Sequence, residues 1–209
     1  MEEYSMKYVP FVLKMDGDRA AAIEAVKALK GDFEKACEAF KVGNFSVWHM
    51  QQYLFGYGEC HSEDASCFDK VLEKLPEGVS CVCAPASMPM MYHDIGIVRE
   101  DKSLIRHRVF ATKLKPGCAG EYKRRHDALI EQRGDTVKEG PESNFTIWHG
   151  DGHIFGYCEL VKSFDHEPTP EEHAATVAWE TRQLEIMDWL TDDMNWLTGE
   201  NHPPVARVI

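Results

Sequence analysis

Residues 144–159 have the sequence NFTIWHGDGHIFGYCE, and a matching stretch, NFSVWHMQQYLFGYGE, occupies residues 44–59. The two stretches are therefore offset by 100 residues. In each, aromatic and apolar side chains alternate with polar ones on both sides of a short break, which is the pattern of a β-hairpin. In the later stretch, Gly150-Asp151-Gly152 supplies a tight-turn signal. The chain is thus predicted to be a tandem repeat in which each copy contains a hairpin.

The segments around the two hairpins predict the order β-α-β-β-α-β in each copy. In the second copy the predicted elements are a strand over 105–114, a helix over 119–132, hairpin strands over 145–149 and 154–160, a helix from Thr169 to about 190, and a closing strand over 205–209. In the first copy they are a strand over 8–15, a helical stretch over 19–40, the hairpin over 45–59, a helix over 63–75, and a last strand over 95–98. Thr169, Pro170 and Glu172 match a capping box with proline at the first helical position.

This element order is the ferredoxin-like split βαβ pattern, an α+β fold with its helices on one face of an antiparallel sheet. Two such units are expected, over residues 1–100 and 101–209. The other face of each sheet carries aromatic side chains that need cover from water. The two tandem ferredoxin-like units are therefore predicted to pack sheet to sheet as an intrachain pseudo-dimeric α+β barrel.

The charge and composition of the sequence indicate which classes of partner and which location to expect. The 209 residues carry a formal net charge of −12, divided equally between residues 1–100 and 101–209. Neither half offers a basic face for phosphates, so nucleic acid and anionic membrane surfaces are not expected partners. The first residues are acidic and polar, unlike a signal peptide, and no apolar run is long enough to span a membrane. A cytoplasmic protein is expected.

The cysteines favour reduced thiols over disulfides or a metal site. Seven cysteines are present, an odd number that cannot pair completely within one chain. Cys81 and Cys83 are the only tight pair, and no second pair of Cys or His lies at a zinc-like spacing from them. Neither a metal nor another cofactor is expected.

The two copies differ most in the first helix. In the second copy it reads EYKRRH over residues 121–126, and in the first copy the same offset gives AAIEAV over 21–26. Tyr122 and His126 are four residues apart, so they share one helical face. The imidazole exchanges protons near neutral pH, and the phenol can donate or accept a hydrogen bond. Arg125, beside them, is a candidate for holding a hydroxyl or a carboxylate. The second copy is therefore expected to carry the active site, and the first to be degenerate and non-catalytic.

Other candidates are less specific. Glu159 is a potential carboxylate partner or base, although its twin Glu59 favours a scaffold role for both. His149 is also open as the base, but it recurs as His49, which favours packing. The tryptophans near the last helix are Trp179, Trp189 and Trp196. They could stack on a sugar ring, although filling the core is the commoner role of such residues.

The second copy resembles the L-rhamnose mutarotase family over about residues 104–209, and the first copy resembles it only in its hairpin and element order. The matching motifs are RVF at 108–110, EYKRRH at 121–126, NFTIW at 144–148, IFGYCE at 154–159 and TDDM at 191–194. Members of this family are small dimeric α+β barrels. The resemblance implies an isomerase that interconverts the α and β anomers of L-rhamnose or a related free sugar by general acid–base catalysis, without a cofactor.

The resemblance also implies roles for individual residues. His126 corresponds to the family's proton donor, and Tyr122 to a tyrosine that binds the sugar. Phe145 occupies the place of a second sugar-binding tyrosine, so its ring is kept and the hydroxyl is lost. The family's tryptophan pair on the last helix falls on Ile186 and Met187, with Trp189 two residues later as a substitute sugar-binding ring.

Two rival functions follow from these departures and from the fold. The first is a catalytically inactive sugar-binding or regulatory module, which Phe145, Ile186 and Met187 favour. The second is a barrel of the monooxygenase or haem-binding kind, which uses similar αβ units. The expected partner is a monosaccharide, and a homo-oligomer of the fused chain remains open.

Overall fold

The computed structural model describes residues 6–60, 66–97, 99, 101–137, 140, 142–162, 168–191 and 205–209. The chain forms two compact units, one made of Met1–Pro89 with Val205–Ile209, the other of Met90–Pro204. Within the described ranges, no helix is both long enough and apolar enough to cross a membrane. Three predicted features lie wholly or partly outside these ranges: residues 192–194 of the TDDM motif, Trp196, and residues 63–65 of the helix predicted over 63–75.

The first unit consists of a sheet and three helices. Its elements, with strands numbered along the whole chain, are β1 (Lys7–Tyr8), β2 (Phe11–Met15), α1 (Arg19–Ala28), α2 (Lys30–Phe40), β3 (Val42–Met50), β4 (Tyr53–Cys60), α3 (Asp69–Leu72), β5 (Val79–Cys83) and, from the end of the chain, β11 (Ala206–Arg207). The sheet order is β11-β3-β4-β2-β5, with β1 beside β4, and the pairings are antiparallel. Strands β5-β2-β4-β3 have the ferredoxin-like order.

The second unit repeats this plan. Its elements are β6 (Met90–Gly96), β7 (Ile105–Leu114), α4 (Ala119–Arg133), β8 (Glu142–Gly150), β9 (His153–Val161), α5 (Pro170–Gln183) and β10 (Met187–Thr191). Short 3-10 turns occupy Pro85–Ser87 and Lys102–Leu104. The antiparallel sheet has the order β10-β7-β9-β8-β6, so β10-β7-β9-β8 again have the ferredoxin-like order. The α+β class and the two tandem ferredoxin-like units are thus confirmed.

The closing strands are exchanged between the copies, which corrects the prediction for both ends. The strand predicted as the last of the first copy is β6, and it pairs with β8 of the second unit, with Tyr92 opposite Ile147. The strand predicted as the last of the second copy is β11, and it pairs with β3 of the first unit. The fourth strands are instead β5 and β10, which pair with β2 and β7. Each sheet therefore gains an edge strand from the terminal segment of the other copy.

Three helices also differ from prediction. Among the described residues of the helix predicted over 63–75, only Asp69–Leu72 is helical. The stretch 19–40 is divided at Leu29, whose amide bonds to the carbonyl of Val26, into α1 and α2. The last helix ends at Gln183 rather than near 190, because Met187–Thr191 pairs with β7 as strand β10. The predicted start is confirmed, since Thr169 and Glu172 form the capping box and Pro170 is the first helical residue.

A glycine beneath a phenylalanine ring marks the same place in both sheets. Phe11 pairs with Gly56 across β2 and β4, and Phe110 pairs with Gly156 across β7 and β9. A Cβ atom on either glycine would lie 2.1 Å from the facing ring. Only a residue without a side chain leaves room for the ring, so the two copies share this packing of the first strand against the hairpin.

Candidate functional site

The centre of the site is the pair Tyr122 and His126 on the buried face of α4. Their rings stack with centroids 4.2 Å apart and an interplanar angle of 26°. Only 2% of Tyr122 and 5% of His126 is exposed. The four-residue spacing places both on one side of the helix, and the sheet beneath α4 covers that side.

The protonation state of His126 follows from its surroundings. Its Nδ1 lies 2.9 Å from the carbonyl oxygen of Tyr122. A carbonyl can only accept, so Nδ1 carries the proton and, in the neutral ring, Nε2 holds the lone pair. Burial lowers the pKa of His126 to about 4, against the smaller opposing effects of that hydrogen bond and of Asp127. At neutral pH the imidazole is therefore an uncharged base with Nε2 as its accepting atom.

The phenol of Tyr122 is protonated at neutral pH. Burial raises the pKa of its phenol, and the carboxylate of Glu180 on α5 raises it further. The phenol therefore acts as a neutral hydrogen-bonding group rather than as an acid or a base.

Further aromatic rings surround the imidazole. Tyr92 of β6 lies edge-on to His126 with centroids 5.4 Å apart, and Trp179 of α5 does so at 5.3 Å. Phe145 of β8 contacts Tyr92, with centroids 5.5 Å apart and an angle of 81°. Elements α4, α5, β6 and β8 thus all contribute to an aromatic enclosure around His126, defined as Tyr92, Tyr122, Phe145 and Trp179.

Trp189 is joined to this enclosure through Phe110, which contacts Phe145. The ring of Phe110 lies edge-on to both, at 6.1 Å from Phe145 and 6.0 Å from Trp189. Trp189 lies on β10 and is half-buried. Ile186 and Met187, at the places of the family's tryptophan pair, are buried core residues of this unit.

Arg125 is not directed to the Tyr122–His126 pair. Its Nε donates to Glu121 at 2.7 Å, its Nη2 to Glu185 at 2.8 Å, and its Nη1 to the carbonyl of Arg182. The buried guanidinium therefore ties α4 to the carboxyl end of α5. The sugar contact expected of Arg125 stays a prediction, and in this structure its three donors are directed to α4 and to the end of α5.

Gln183 is a buried amide at the last position of α5. The residue is 1% exposed, and neither its Nε2 nor its Oε1 has a hydrogen-bond partner among the described residues. Helices α4 and α5 run antiparallel, as the contacts of Arg125 with Arg182 and of His126 with Trp179 indicate. Gln183 follows Trp179 by one helical turn, so it lies at the level of Tyr122, one turn before His126. A buried amide without partners is costly, and a polar ligand would satisfy it.

Glu159 lies on the opposite face of the sheet from His126. Residues paired across neighbouring strands lie on the same face of the sheet, and faces alternate along a strand. The pair Cys158 and Arg108 lies on the helix side with Phe110. The next pair, Glu159 and His107, therefore lies on the opposite face. Lys102 donates to both carboxylate oxygens of Glu159 at 2.9 and 2.8 Å. The structure therefore does not bring Glu159 to the Tyr122–His126 pair.

The repeated Asn–Glu pair explains why Glu159 recurs. Asn144 and Asn44 have φ angles of 48° and 47°, at places where β8 and β3 shift register against their partners. Asparagine tolerates this left-handed conformation better than most residues. The amides of Asn144 and Asn44 donate to Glu159 at 3.2 Å and to Glu59 at 2.8 Å. The Asn–Glu pair is thus a bulge support shared by both copies.

His149 is four residues along β8 from Phe145, about 13 Å at the usual rise of a strand. Burial lowers its pKa, and the nearby His153 lowers it further. No ring contact between His149 and His126 is found among the described residues. His149 therefore belongs to the turn end of the hairpin rather than to the aromatic enclosure.

The sequence does not predict Tyr92 or Gln183 as site residues. Tyr92 precedes the strand predicted over 95–98, whereas in the structure that strand begins at Met90 and pairs with β8. Gln183 lay inside a helix that was predicted to continue past it. Trp179 was noted as an aromatic residue near the last helix, but nothing in the sequence joined it to His126.

No group of three or more His, Cys, Asp and Glu residues that could hold a metal ion occurs in the part of the chain that the structure describes. No disulfide joins any of the seven cysteines. Cys81 and Cys83, the tight pair in the sequence, both belong to β5.

Similar solved structures are remote. They include a putative monooxygenase from Lactobacillus acidophilus NCFM, with 8% identity over 97% of this chain and 95% of that chain and a TM-score of 0.43. They also include an anthrone oxidase-like protein, with 11% identity over 99% of this chain and 90% of that chain and a TM-score of 0.42. No curated protein matches the chain.

The second unit is thus a ferredoxin-like α+β domain that encloses a stacked Tyr–His pair among aromatic rings. Residues 107–205 match the family model described as L-rhamnose mutarotase. Residues 107–205 are therefore similar to the L-rhamnose mutarotase family, as the motifs predicted, and the first half lies outside the match.

Proposed function

We propose that this protein is a mutarotase that interconverts the α and β anomers of L-rhamnose or a related free sugar, with His126 as the proton-transferring residue. The observation that carries the proposal is the buried imidazole whose Nδ1–H is held by the Tyr122 carbonyl and whose Nε2 is left to accept a proton. The family match over residues 107–205 supports the class of reaction.

The reaction needs one proton to move between two oxygens on the same carbon. Nε2 of His126 accepts the proton of the anomeric hydroxyl as the carbonyl forms and the bond from the anomeric carbon to the ring oxygen breaks. The imidazolium then gives that proton to the ring oxygen. After the aldehyde rotates, the same steps in reverse close the ring with the other configuration. The donor role that the resemblance implies and the base role that the pKa indicates are two halves of this one transfer.

The other groups hold the sugar and the imidazole in place. Tyr122 stacks on the imidazole and keeps a neutral phenol beside it. Gln183 offers an amide donor and an amide acceptor to sugar hydroxyls. The rings of Phe145 and Trp189 provide apolar faces of the kind on which sugar C–H groups pack.

Access requires movement of the enclosure. Because His126 is 5% exposed, a sugar reaches Nε2 only after a neighbouring ring turns aside. Tyr92 and Trp179 meet the imidazole edge-on and are half-buried. Trp179 is the ring that can turn toward solvent, because the hydroxyl of Tyr92 is held by Asp94 and Tyr122 stays beneath.

The substrate is a monosaccharide, and L-rhamnose is the first to test. Phe145, Ile186 and Met187 replace two kinds of sugar-binding ring that the family resemblance implies, so a related deoxy sugar such as fucose belongs in the same panel. The proposal includes a cytoplasmic setting, which the odd number of cysteines favours, and no cofactor.

The test is magnetisation transfer between the α and β anomer NMR signals of L-rhamnose and related sugars. We expect exchange to accelerate in proportion to protein concentration, and His126→Ala to lower the rate by about 100-fold or more. His173→Ala is the matched control, because His173 is exposed on α5. An unchanged rate in His126→Ala would remove His126 from the mechanism.

The alternative, an inactive sugar-binding module, gives a different result in the same experiment. Saturable, anomer-selective binding without faster exchange would support it and overturn the enzyme. The near-complete burial of His126 is the observation that favours this alternative.

A further inference from the structure

Tyr92 reaches the catalytic unit on a strand that precedes the second copy in sequence. Strand β6 lies at the edge of the second sheet, and Tyr92 pairs with Ile147 of β8. Its ring contacts His126, at 5.4 Å and 64°, and Phe145, at 5.5 Å and 81°. The segment after the first hairpin therefore contributes a phenol to the enclosure of the second unit.

The orientation of the Tyr92 phenol is fixed by a hydrogen bond of its hydroxyl and by the pairing of its strand. Its hydroxyl donates to Oδ2 of Asp94 at 3.3 Å, and Asp94 forms an ion pair with Arg133 of α4. The backbone of β6 is held by its pairing with β8. Helix α4 thus positions both His126 and, through Arg133 and Asp94, the hydroxyl of Tyr92.

The hydroxyl can serve a ligand without leaving Asp94 unpaired. At 3.3 Å its bond to Asp94 is longer than the usual 2.7–2.8 Å for two oxygens, so it is weak. Arg133 remains with Asp94 if the hydroxyl turns away. Burial and the Asp94 carboxylate raise the pKa of Tyr92 to about 12, so the phenol stays protonated and able to donate.

Phe145 supplies no hydroxyl on this side of the imidazole. Tyr122 stacks on one face of the His126 ring, whereas Tyr92 meets the ring edge-on. The two phenols therefore approach His126 from different directions. Tyr92 is the more exposed of the two, which places it nearer to the path by which a sugar enters.

We propose that Tyr92 is a substrate-positioning residue, whose hydroxyl donates a hydrogen bond to a sugar oxygen and holds the anomeric centre against Nε2 of His126. The inference rests on the proposed function of the same site. It means that the site of the second unit is incomplete without a strand from the segment that ends the first copy.

The test is Tyr92→Phe, which removes only the hydroxyl. We expect the KM for the sugar to rise about 5- to 10-fold, with kcat lowered by less than about threefold, because one hydrogen bond to substrate is lost and the base is kept. The double variant with Phe145→Tyr, which returns a hydroxyl to the adjacent ring, should recover part of this loss. Tyr8→Phe, on β1 of the first unit, is the control and should leave KM unchanged.

Direct sugar titration by NMR separates the failure of this inference from the failure of the proposed function. If wild type accelerates exchange and Tyr92→Phe has the same KM and sugar affinity, the positioning role is wrong and the mutarotase stands. If wild type binds sugar without exchange, weaker binding by Tyr92→Phe still supports the positioning role and equal binding overturns it. If wild type neither binds nor exchanges any sugar in the panel, both proposals fail.

Discussion

The Nδ1–H of His126 donates to the main-chain carbonyl of Tyr122, one turn earlier on the same helix, over 2.9 Å. This bond selects the tautomer in which Nε2 is the basic nitrogen. Burial around the same ring holds its pKa near 4. The hydrogen bond to the carbonyl and the burial of the ring together keep the His126 imidazole neutral at neutral pH, with Nε2 able to accept a proton. The pH dependence of anomer exchange and of stability tests this protonation state.

The pH dependence of anomer exchange should reflect the lowered pKa of His126. Because the free enzyme needs the neutral imidazole, kcat/KM should be flat from about pH 8 down to about pH 5 and fall only near pH 4. NMR exchange measured across this range, corrected for the spontaneous reaction, checks the prediction. A midpoint near 6.5, the ordinary pKa of histidine, would show that the ring is not buried during the reaction.

The same ring should make the fold sensitive to acid. The pKa of His126 is about 4 when folded and about 6.5 when unfolded, so the unfolded state binds more protons between these values. Stability therefore falls as pH drops from 6.5 towards 4, by up to about 3 kcal/mol from this residue. Urea unfolding at pH 7 and pH 4.5 should show a smaller loss in His126→Leu, and the full loss in His173→Leu.

Replacing the buried amide of Gln183 should separate sugar binding from stability. Gln183→Leu removes two polar atoms without partners among the described residues, so the fold should be as stable as wild type or more so. The KM for the sugar should rise about 10-fold, because a ligand hydroxyl loses its partner. Thermal unfolding and exchange kinetics measure the two effects. Gln132→Leu on the exposed side of α4 is the control, and a rise in KM there would contradict a local effect.

The glycine beneath Phe110 should not tolerate a methyl group. Gly156→Ala places a Cβ 2.1 Å from the ring and should destabilise the second unit by about 1–3 kcal/mol or more. Gly120→Ala is the matched control, because nothing lies within 4 Å of its Cβ and alanine favours a helix by up to about 1 kcal/mol. Chemical denaturation of both variants checks the prediction, and equal stabilities would contradict the close packing of Phe110.

Glu159 should affect the fold and leave the reaction unchanged. Glu159→Gln removes the charge that pairs with Lys102 on the sheet face opposite His126. We expect a loss of about 1–3 kcal/mol in unfolding free energy, with kcat/KM unchanged within about twofold. A large loss of anomer exchange in a stably folded Glu159→Gln would return this carboxylate to the list of candidate bases.

Local signals in the sequence predicted much of the second unit. Strand 105–114, the hairpin at 144–159 and the capped start of α5 agree with the structure, because each depends on residues close together in the chain. The shared face of Tyr122 and His126 followed from their spacing alone. The end of α5 did not, because the apolar residues around Met187 suit a helix or a strand equally, and pairing with β7 decides between them.

The sequence by itself determined the tandem α+β repeat, the resemblance of the second half to the L-rhamnose mutarotase family, and a Tyr–His pair on one helix face. These depend on periodicity, offset and spacing, which are properties of neighbouring residues. Only the tertiary structure decided that β6 and β11 are exchanged between the copies and that Tyr92 and Trp179 contact His126. It also decided that Glu159 lies on the sheet face opposite His126 and that burial keeps the imidazole neutral. Strand pairing and desolvation arise between segments far apart in the chain, so no local pattern encodes them.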